Sequence, residues 1–224
     1  MEEKKALEEL RRDESSRGAF LKMVGGAGAA GALGIFLAAC GDDEEEDKAA
    51  ETGQDTAAKK DSKKTDAAIV NYALTLEYLE ADFYQQVIAS GEITDKRIVE
   101  AAKKIAQNEQ EHVDALKATA EMLGGEVAKA PKTKFEDVLA GGPDMILETA
   151  ATVENLGAAA YLGEAANITD KQILAAALSI HTVEGRHAAA LNLLTGKTIV
   201  PDGAFAKPAS MDEVLKAVKP FIAA

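Results

Sequence analysis

One stretch of this chain occurs twice. "ITDKRIVEAAKKIAQNEQEHVDAL" begins at Ile93, and "ITDKQILAAALSIHTVEGRHAAAL" begins at Ile168. A single register without gaps maps Glu109 onto Glu184 and His112 onto His187. Upstream, "LEYLEADFY" (Leu76–Tyr84) matches "VENLGAAAY" (Val153–Tyr161), pairing Glu77 with Glu154 and Tyr84 with Tyr161. Two copies are too few for a solenoid. A helix pair made twice closes most simply as a four-helix bundle.

The periodicity fits that reading. Apolar residues recur at helical spacing over 66–90, 95–123, 143–166 and 170–195. Gly91, Gly124 and Gly196 stand at the expected stops, and Pro143 suits a first helical turn. Thr94 and Thr169 are the matching N-cap candidates, and Thr169 with Gln172 forms a capping-box pattern. A short amphipathic helix is expected over Met211–Val218. With aromatics at 4% and no Trp, the core must be built from Ala, Leu, Ile and Val, which suits an all-α domain over residues 66–224.

The first 65 residues read differently. A charged segment with Arg11, Arg12, Arg17 and Lys22 precedes the uncharged run Met23–Ala39. That is the layout of an export signal, and the run is short and glycine-rich for a membrane span of about 20 residues. "LAAC" (Leu37–Cys40) resembles a bacterial lipobox, which implies lipidation of Cys40, the only cysteine. "SRGAFLK" (Ser16–Lys22) resembles a twin-arginine signal, with Gly18 where the second arginine belongs. The other reading of the run is a plain transmembrane anchor. Both put the domain outside the cytoplasmic membrane; the lipobox reading anchors it by lipid at the outer face of that membrane, in the periplasm or at the cell surface. Residues 40–65 lack apolar periodicity and read as an acidic, disordered tether. A net charge of −13 sets nucleic-acid binding aside, and a lone cysteine excludes an intramolecular disulfide.

The repeated polar residues carry the chemistry. Residues three apart on a helix share a face, so Glu109 and His112 point together, as do Glu184 and His187. Each ionisable residue lies on the apolar stripe of its helix: Ile105, Glu109, His112, Leu116 in one, and Ile180, Glu184, His187, Leu191 in its repeat. Glu77 and Glu154 sit likewise on the first and third helices. Four buried carboxylates need compensation. Two divalent cations would supply four charges, with neutral imidazoles as further ligands. Carboxylate and imidazole without thiolate suit iron or manganese. The other reading of the same residues is a satisfied polar core, but matched positions in both copies favour a metal site.

A Glu from each of two helices plus Glu-x-x-His from each of the other two is the inventory of ferritin-like di-iron carboxylate proteins. Residues 66–224 resemble that family, in particular exported members with "LEYLEADFY"-type first helices. The resemblance implies two iron ions, with manganese as the variant. It implies that Glu109 and Glu184 bridge them, that His112 and His187 each bind one, and that Glu77 and Glu154 are the terminal carboxylates. Tyr84 and Tyr161 become hydrogen-bond donors behind the ligands, with plain core packing as the other reading. His181 and Glu80 have no ionisable counterparts (Ala106 and Gly157) and read as a structural residue and a neighbour of the site. The expected function is a di-iron oxidase of the ferroxidase or peroxide-scavenging kind, with dioxygen or peroxide as substrate. The alternative is a non-catalytic metal-binding or stress-protective envelope protein on the same bundle.

Overall fold

The computed structural model describes residues 53–223. The expected export signal, Cys40 and the tether up to residue 52 lie outside these described residues. Six α-helices follow in order: α1 (Gly53–Ser90), α2 (Lys96–Leu123), α3 (Glu136–Ala140), α4 (Gly142–Glu164), α5 (Lys171–Leu194) and α6 (Met211–Val218). Single turns of 3-10 helix follow α4 and α6, over Ala165–Asn167 and Lys219–Phe221. Among the described residues no helix is long and apolar enough to cross a membrane.

The fold is an all-α bundle. Helix α1 packs along α2, and α4 along α5; the two pairs join chiefly through α1 and α4. The duplicated units are therefore the two hairpins, and the polar positions repeated in both face the space between them. From Asp66 to Val87 helix α1 is covered nearly all round. Ile69, Val70, Leu74, Leu79, Phe83, Tyr84 and Val87 are all buried.

Three local features differ from the sequence expectation. Helix α1 begins at Gly53, so residues 53–65, read as tether, are helical. After Gly53 this segment has no Gly or Pro and is rich in Ala and Lys. Extending a helix already nucleated by packing costs little. Second, the N-caps of α2 and α5 are Asp95 and Asp170, one residue beyond the expected threonines. Thr169 is used elsewhere: its backbone N–H and its hydroxyl both donate to buried Asp66, each at 2.8 Å. Asp66 also accepts from the Asp170 N–H at 2.9 Å, so one carboxylate clamps α1 to the start of α5. Third, the α2–α4 connection contains a short helix, α3. Its anchor is Phe135, fully buried, which meets Phe83 at 4.9 Å and stacks on Phe221 at 5.4 Å.

Helix α6 spans the expected residues. Ser210 caps it through a reciprocal capping box with Glu213. Its buried Val214 and Val218 lie against Leu76, Leu79 and Leu156, over the seam between α1 and α4. The segment leading to it crosses α4 closely. The Ala209 N–H donates to the Ala159 carbonyl at 3.0 Å, and any side chain at Gly163 would collide with the Ala209 carbonyl.

Candidate metal centre

Each of the four long helices brings its polar residues to one point inside the bundle. Glu77 comes from α1, Glu109 and His112 from α2, Glu154 from α4, and Glu184 and His187 from α5. The four glutamates have 0% exposure, and the histidines 7% and 8%. All six residues expected at the site from the sequence are brought together.

Their side chains form two overlapping clusters. The first is Glu77, Glu109, His112 and Glu184; the second is Glu109, Glu154, Glu184 and His187. In each, the candidate ligand atoms lie within 4.8 Å of one another. Glu109 and Glu184 belong to both. His112 Nδ1 lies 3.2 Å from Glu77 Oε2, 3.1 Å from Glu109 Oε2 and 3.3 Å from Glu184 Oε1. His187 Nδ1 lies 3.0 Å from Glu109 Oε1 and 3.2 Å from Glu154 Oε2.

The tyrosines cross between the halves. Tyr84 on α1 donates to Glu154 Oε1 on α4 at 2.6 Å. Tyr161 on α4 donates to Glu77 Oε1 on α1 at 2.5 Å. Each copy of the repeat thus orients the outer carboxylate of the other, and both hydroxyls stay protonated. Burial, then the adjacent carboxylate, holds both tyrosines well above the ordinary phenol range.

The electrostatics separate the shared glutamates from Glu77. Burial pushes Glu109 up to about 7, although contacts with both histidines pull it back. Glu184 is raised well above the carboxylate range by burial and then by Glu109, Glu154 and Glu77. Burial also acts on Glu77, but the charge of His112 and hydrogen bonds at the carboxylate outweigh it, and the group sits below its usual value. So burial does not keep every core carboxylate neutral. His187 is raised to about 9 because Glu109 and Glu154 outweigh its desolvation. His112 is raised further, by Glu77, Glu109 and Glu184 against the same burial effect.

The donor set fits metal ions. Glu109 Oε1 and both carboxylate oxygens of Glu184 are buried and accept no well-aligned hydrogen bond; the first and Glu184 Oε1 have only a histidine nitrogen beside them, at 3.0 and 3.3 Å. Leaving a buried acceptor unsatisfied costs about 1–3 kcal/mol, more when it is charged. These orphan atoms belong to the two glutamates common to both clusters, where cations would be shared. Without metal, the protons on the histidines take the place of positive charge.

Glu80 is more deeply involved than the repeat suggested. It is 3% exposed and faces Gly157, its counterpart in the second copy. A Cβ at Gly157 would lie 2.9 Å from Glu80 Oε1 and 2.7 Å from Glu184 Oε2. Two carboxylates therefore occupy the space a side chain at 157 would need. Burial, then Glu184 and Glu77, raises Glu80 well above the usual range. The signal was present in the sequence as a glutamate opposite a glycine, but nothing there showed that the absent side chain makes the room. His181 stays outside the clusters, its Nδ1 3.0 Å from the Ala158 carbonyl on α4.

Fold and site define a four-helix bundle around a buried carboxylate–histidine cluster. Residues 65–197 match the ferritin-like domain family, and the chain belongs to that family. The match stops short of α6. No curated protein matches the chain.

Proposed function

We propose that this protein binds two iron ions, or manganese in their place, between Glu77, Glu109, His112, Glu154, Glu184 and His187, and oxidises Fe(II) with dioxygen or peroxide. The observation that carries the reading is the pair of overlapping clusters whose shared members, Glu109 and Glu184, hold the buried oxygens that accept no well-aligned hydrogen bond. Bound Fe(II) supplies the electrons. Two Fe(II) ions give up one electron each; dioxygen takes both with two protons and leaves as hydrogen peroxide, or hydrogen peroxide takes both with two protons and leaves as two waters. Loading the site requires the histidines to be neutral, so ion binding releases protons. Glu109 and Glu184 would serve both ions, while Tyr84 and Tyr161 hold the outer carboxylates in place.

The export reading belongs to the same proposal. Cleavage before Cys40 and lipidation of its thiol would hold the domain outside the cytoplasmic membrane on the segment that follows Cys40. Cys40→Ala should yield an unprocessed, unlipidated precursor; normal processing of that variant would refute the anchor.

The decisive experiment is Fe(II) oxidation by the full chain, followed optically, beside the His112→Ala/His187→Ala double variant. A large loss of rate in the variant is expected, and equal rates would sink the proposal. One observation favours a second reading, a protein that holds metal without turnover: the four carboxylates are entirely closed to solvent. Tight binding of Fe(II) with no oxidation under air or peroxide would select it.

A further inference from the structure

The candidate metal cluster is sealed. Its four carboxylates have no exposed surface, so no ion reaches them until part of the protein moves. The histidines touch solvent slightly, at 7% and 8%, but their Nδ1 atoms are turned inward, 3.0 to 3.3 Å from carboxylate oxygens. A cation arriving there meets ring edges and no carboxylate.

The seam between α1 and α4 is built differently. At Gly157 the wall of α4 has no side chain, and Glu80 Oε1 and Glu184 Oε2 both stand in the space a Cβ there would take. Glu184 belongs to both clusters, and its Oε2 accepts no well-aligned hydrogen bond. Beside this gap is a cavity of about 10 Å³, with Glu80 and Gly157 on one side and Val214 and Val218 of α6 on the other. Glu80 is the only charged residue that lines it. Glu80 and Gly157 thus border both the cluster and the space under α6.

Helix α6 is the part of this cover best placed to move. It belongs to neither hairpin, and it lies beyond residue 197, where the family match ends. Two of its eight residues are buried, Val214 and Val218. Residues 196–208, which lead to it, are all exposed. Backbone hydrogen bonds hold its two ends. Before it, the Ala209 N–H donates to the Ala159 carbonyl at 3.0 Å; after it, the Lys134 N–H donates to the Phe221 carbonyl at 2.9 Å and the Ala223 N–H to the Lys132 carbonyl at 2.8 Å. Between these ends the two valines attach it to the seam.

We infer that α6 is a lid: divalent cations reach and leave the centre between α1 and α4, over Gly157 and past Glu80, when α6 lifts. The inference rests on the metal-binding reading above and adds its route. A cavity of this size has room for about one water, so a hydrated ion cannot pass with the lid down. A dication among Leu76, Leu79, Val153 and Leu156 alone would be uncompensated. The Glu80 carboxylate meets it there, and Glu184 Oε2 receives it on the cluster side.

Mn(II) uptake and release by the metal-free full chain test the lid. Uptake is read as the decline of the free-ion electron paramagnetic resonance signal after mixing, and release as transfer to excess chelator. Two variants loosen α6 without touching a ligand. Val214→Ala removes much of one anchor. Gly163→Ala drives a methyl group into the Ala209 carbonyl, on the strap that leads into α6. Each should speed uptake and release together by about tenfold, as a lid whose opening costs about 1.4 kcal/mol less would. Affinity should stay nearly unchanged, since a route alters both rates by one factor. Glu80→Gln, which keeps the shape and removes the charge, should slow both rates. Unchanged rates in the two lid variants would overturn the lid and place entry elsewhere, such as past His112 and His187. Rates in Glu80→Gln equal to those of the unsubstituted chain would overturn the path past Glu80. Rates that change only in step with affinity would also overturn the proposal, since they report a distorted site. A full chain that binds no Mn(II) or Fe(II) at all would instead sink the metal-binding reading, and the lid with it.

Discussion

The first hairpin, α1–α2, and the second, α4–α5, supply the same candidate ligands from the same positions yet surround them differently. Glu80 in the first faces Gly157 in the second. In the second, Asn155 and Asn192 exchange amide hydrogen bonds at 2.9 and 3.2 Å; the first has Tyr78 and Lys117 at those places. What both copies keep is what the proposed pair of ions would need twice: an outer carboxylate, a shared carboxylate, an imidazole and a tyrosine. What differs lies one layer out, in the room beside the site and in its links to the rest of the bundle. A duplicated fold shows in this way which residues are bound to the common chemistry and which are free to specialise.

The strongest way to break that comparison is to remove the paired outer carboxylates. Glu77→Ala and Glu154→Ala should weaken metal binding to similar extents, each by more than the roughly 10–100-fold that loss of an outer partner of a ligand costs. Glu80→Ala should be the milder change, because Gly157 provides no equivalent donor. Metal titrations of the three variants decide it. A Glu80→Ala defect larger than that of Glu77→Ala would overturn both the ligand assignment and the pairing of the two copies.

The next effect concerns the whole site in the absence of metal. His187 keeps its proton up to about pH 9 in the fold, against an ordinary value of 6.5. Its contribution to stability is complete below the ordinary value and is lost as pH rises through 9. Glu109, raised from 4.5 to about 7, acts in the same direction: above 4.5 the unfolded chain sheds a proton that the fold retains. Glu77 works the other way, but only as pH falls below its ordinary value of 4.5. The metal-free protein should therefore melt lower at about pH 9 than at about pH 6, by on the order of 10 °C. Metal reverses the trend, since ions replace those protons more readily as pH rises, and the melting-temperature gain on adding Mn(II) should grow over the same range. Thermal unfolding with and without Mn(II) checks both slopes, and a metal-free protein that is more stable at the higher pH would contradict the protonated-histidine picture.

Much of this was legible in the sequence, for a definite reason. The ligands lie on long amphipathic helices, where a spacing of three or four residues fixes a shared face, and the repeat supplied each residue's partner. The family and the bundle followed from the same residues. What stayed hidden depends on contacts between distant segments. Phe135 looks like a loop residue until Phe83 and Phe221 close around it. The burial of Glu80 depends on an absent side chain at 157, across the bundle. The lowered Glu77 depends on donors from α2 and α4.

Gly157 gives a sharper test of the asymmetry. Gly157→Ala would place a methyl group within 3 Å of both Glu80 Oε1 and Glu184 Oε2. The carboxylates must move, and overpacking of this kind typically costs about 1–3 kcal/mol. Part of the loss should be recovered in Gly157→Ala/Glu80→Ala, where the first obstacle is gone. Urea unfolding of the single and double variants measures the coupling. Strictly additive effects would mean that Glu80 and residue 157 do not share the space.

The smallest expected effect compares the two helix starts. The repeated "ITDK" suggests threonine caps, yet aspartate does the capping in both copies. Asp95 accepts from the Arg97 N–H at 2.8 Å. Asp170 accepts from Gln172 and Ile173, at 2.7 and 3.2 Å, while its own N–H is held by Asp66. The threonine of the second copy is thus engaged with Asp66 on α1, and its aspartate caps a helix end that is also tied to a neighbour. Asp170→Ala should cost about 1 kcal/mol, the usual value of a good N-cap. Asp95→Ala, with one backbone bond at an exposed helix start, should lower the melting temperature less. Asp66→Ala tests why the copies differ: it should enlarge the effect of Asp170→Ala and leave that of Asp95→Ala alone. A thermal unfolding series over the three single and two double variants is enough, and equal costs at 95 and 170 would show that the clamp from α1 contributes nothing to the start of α5.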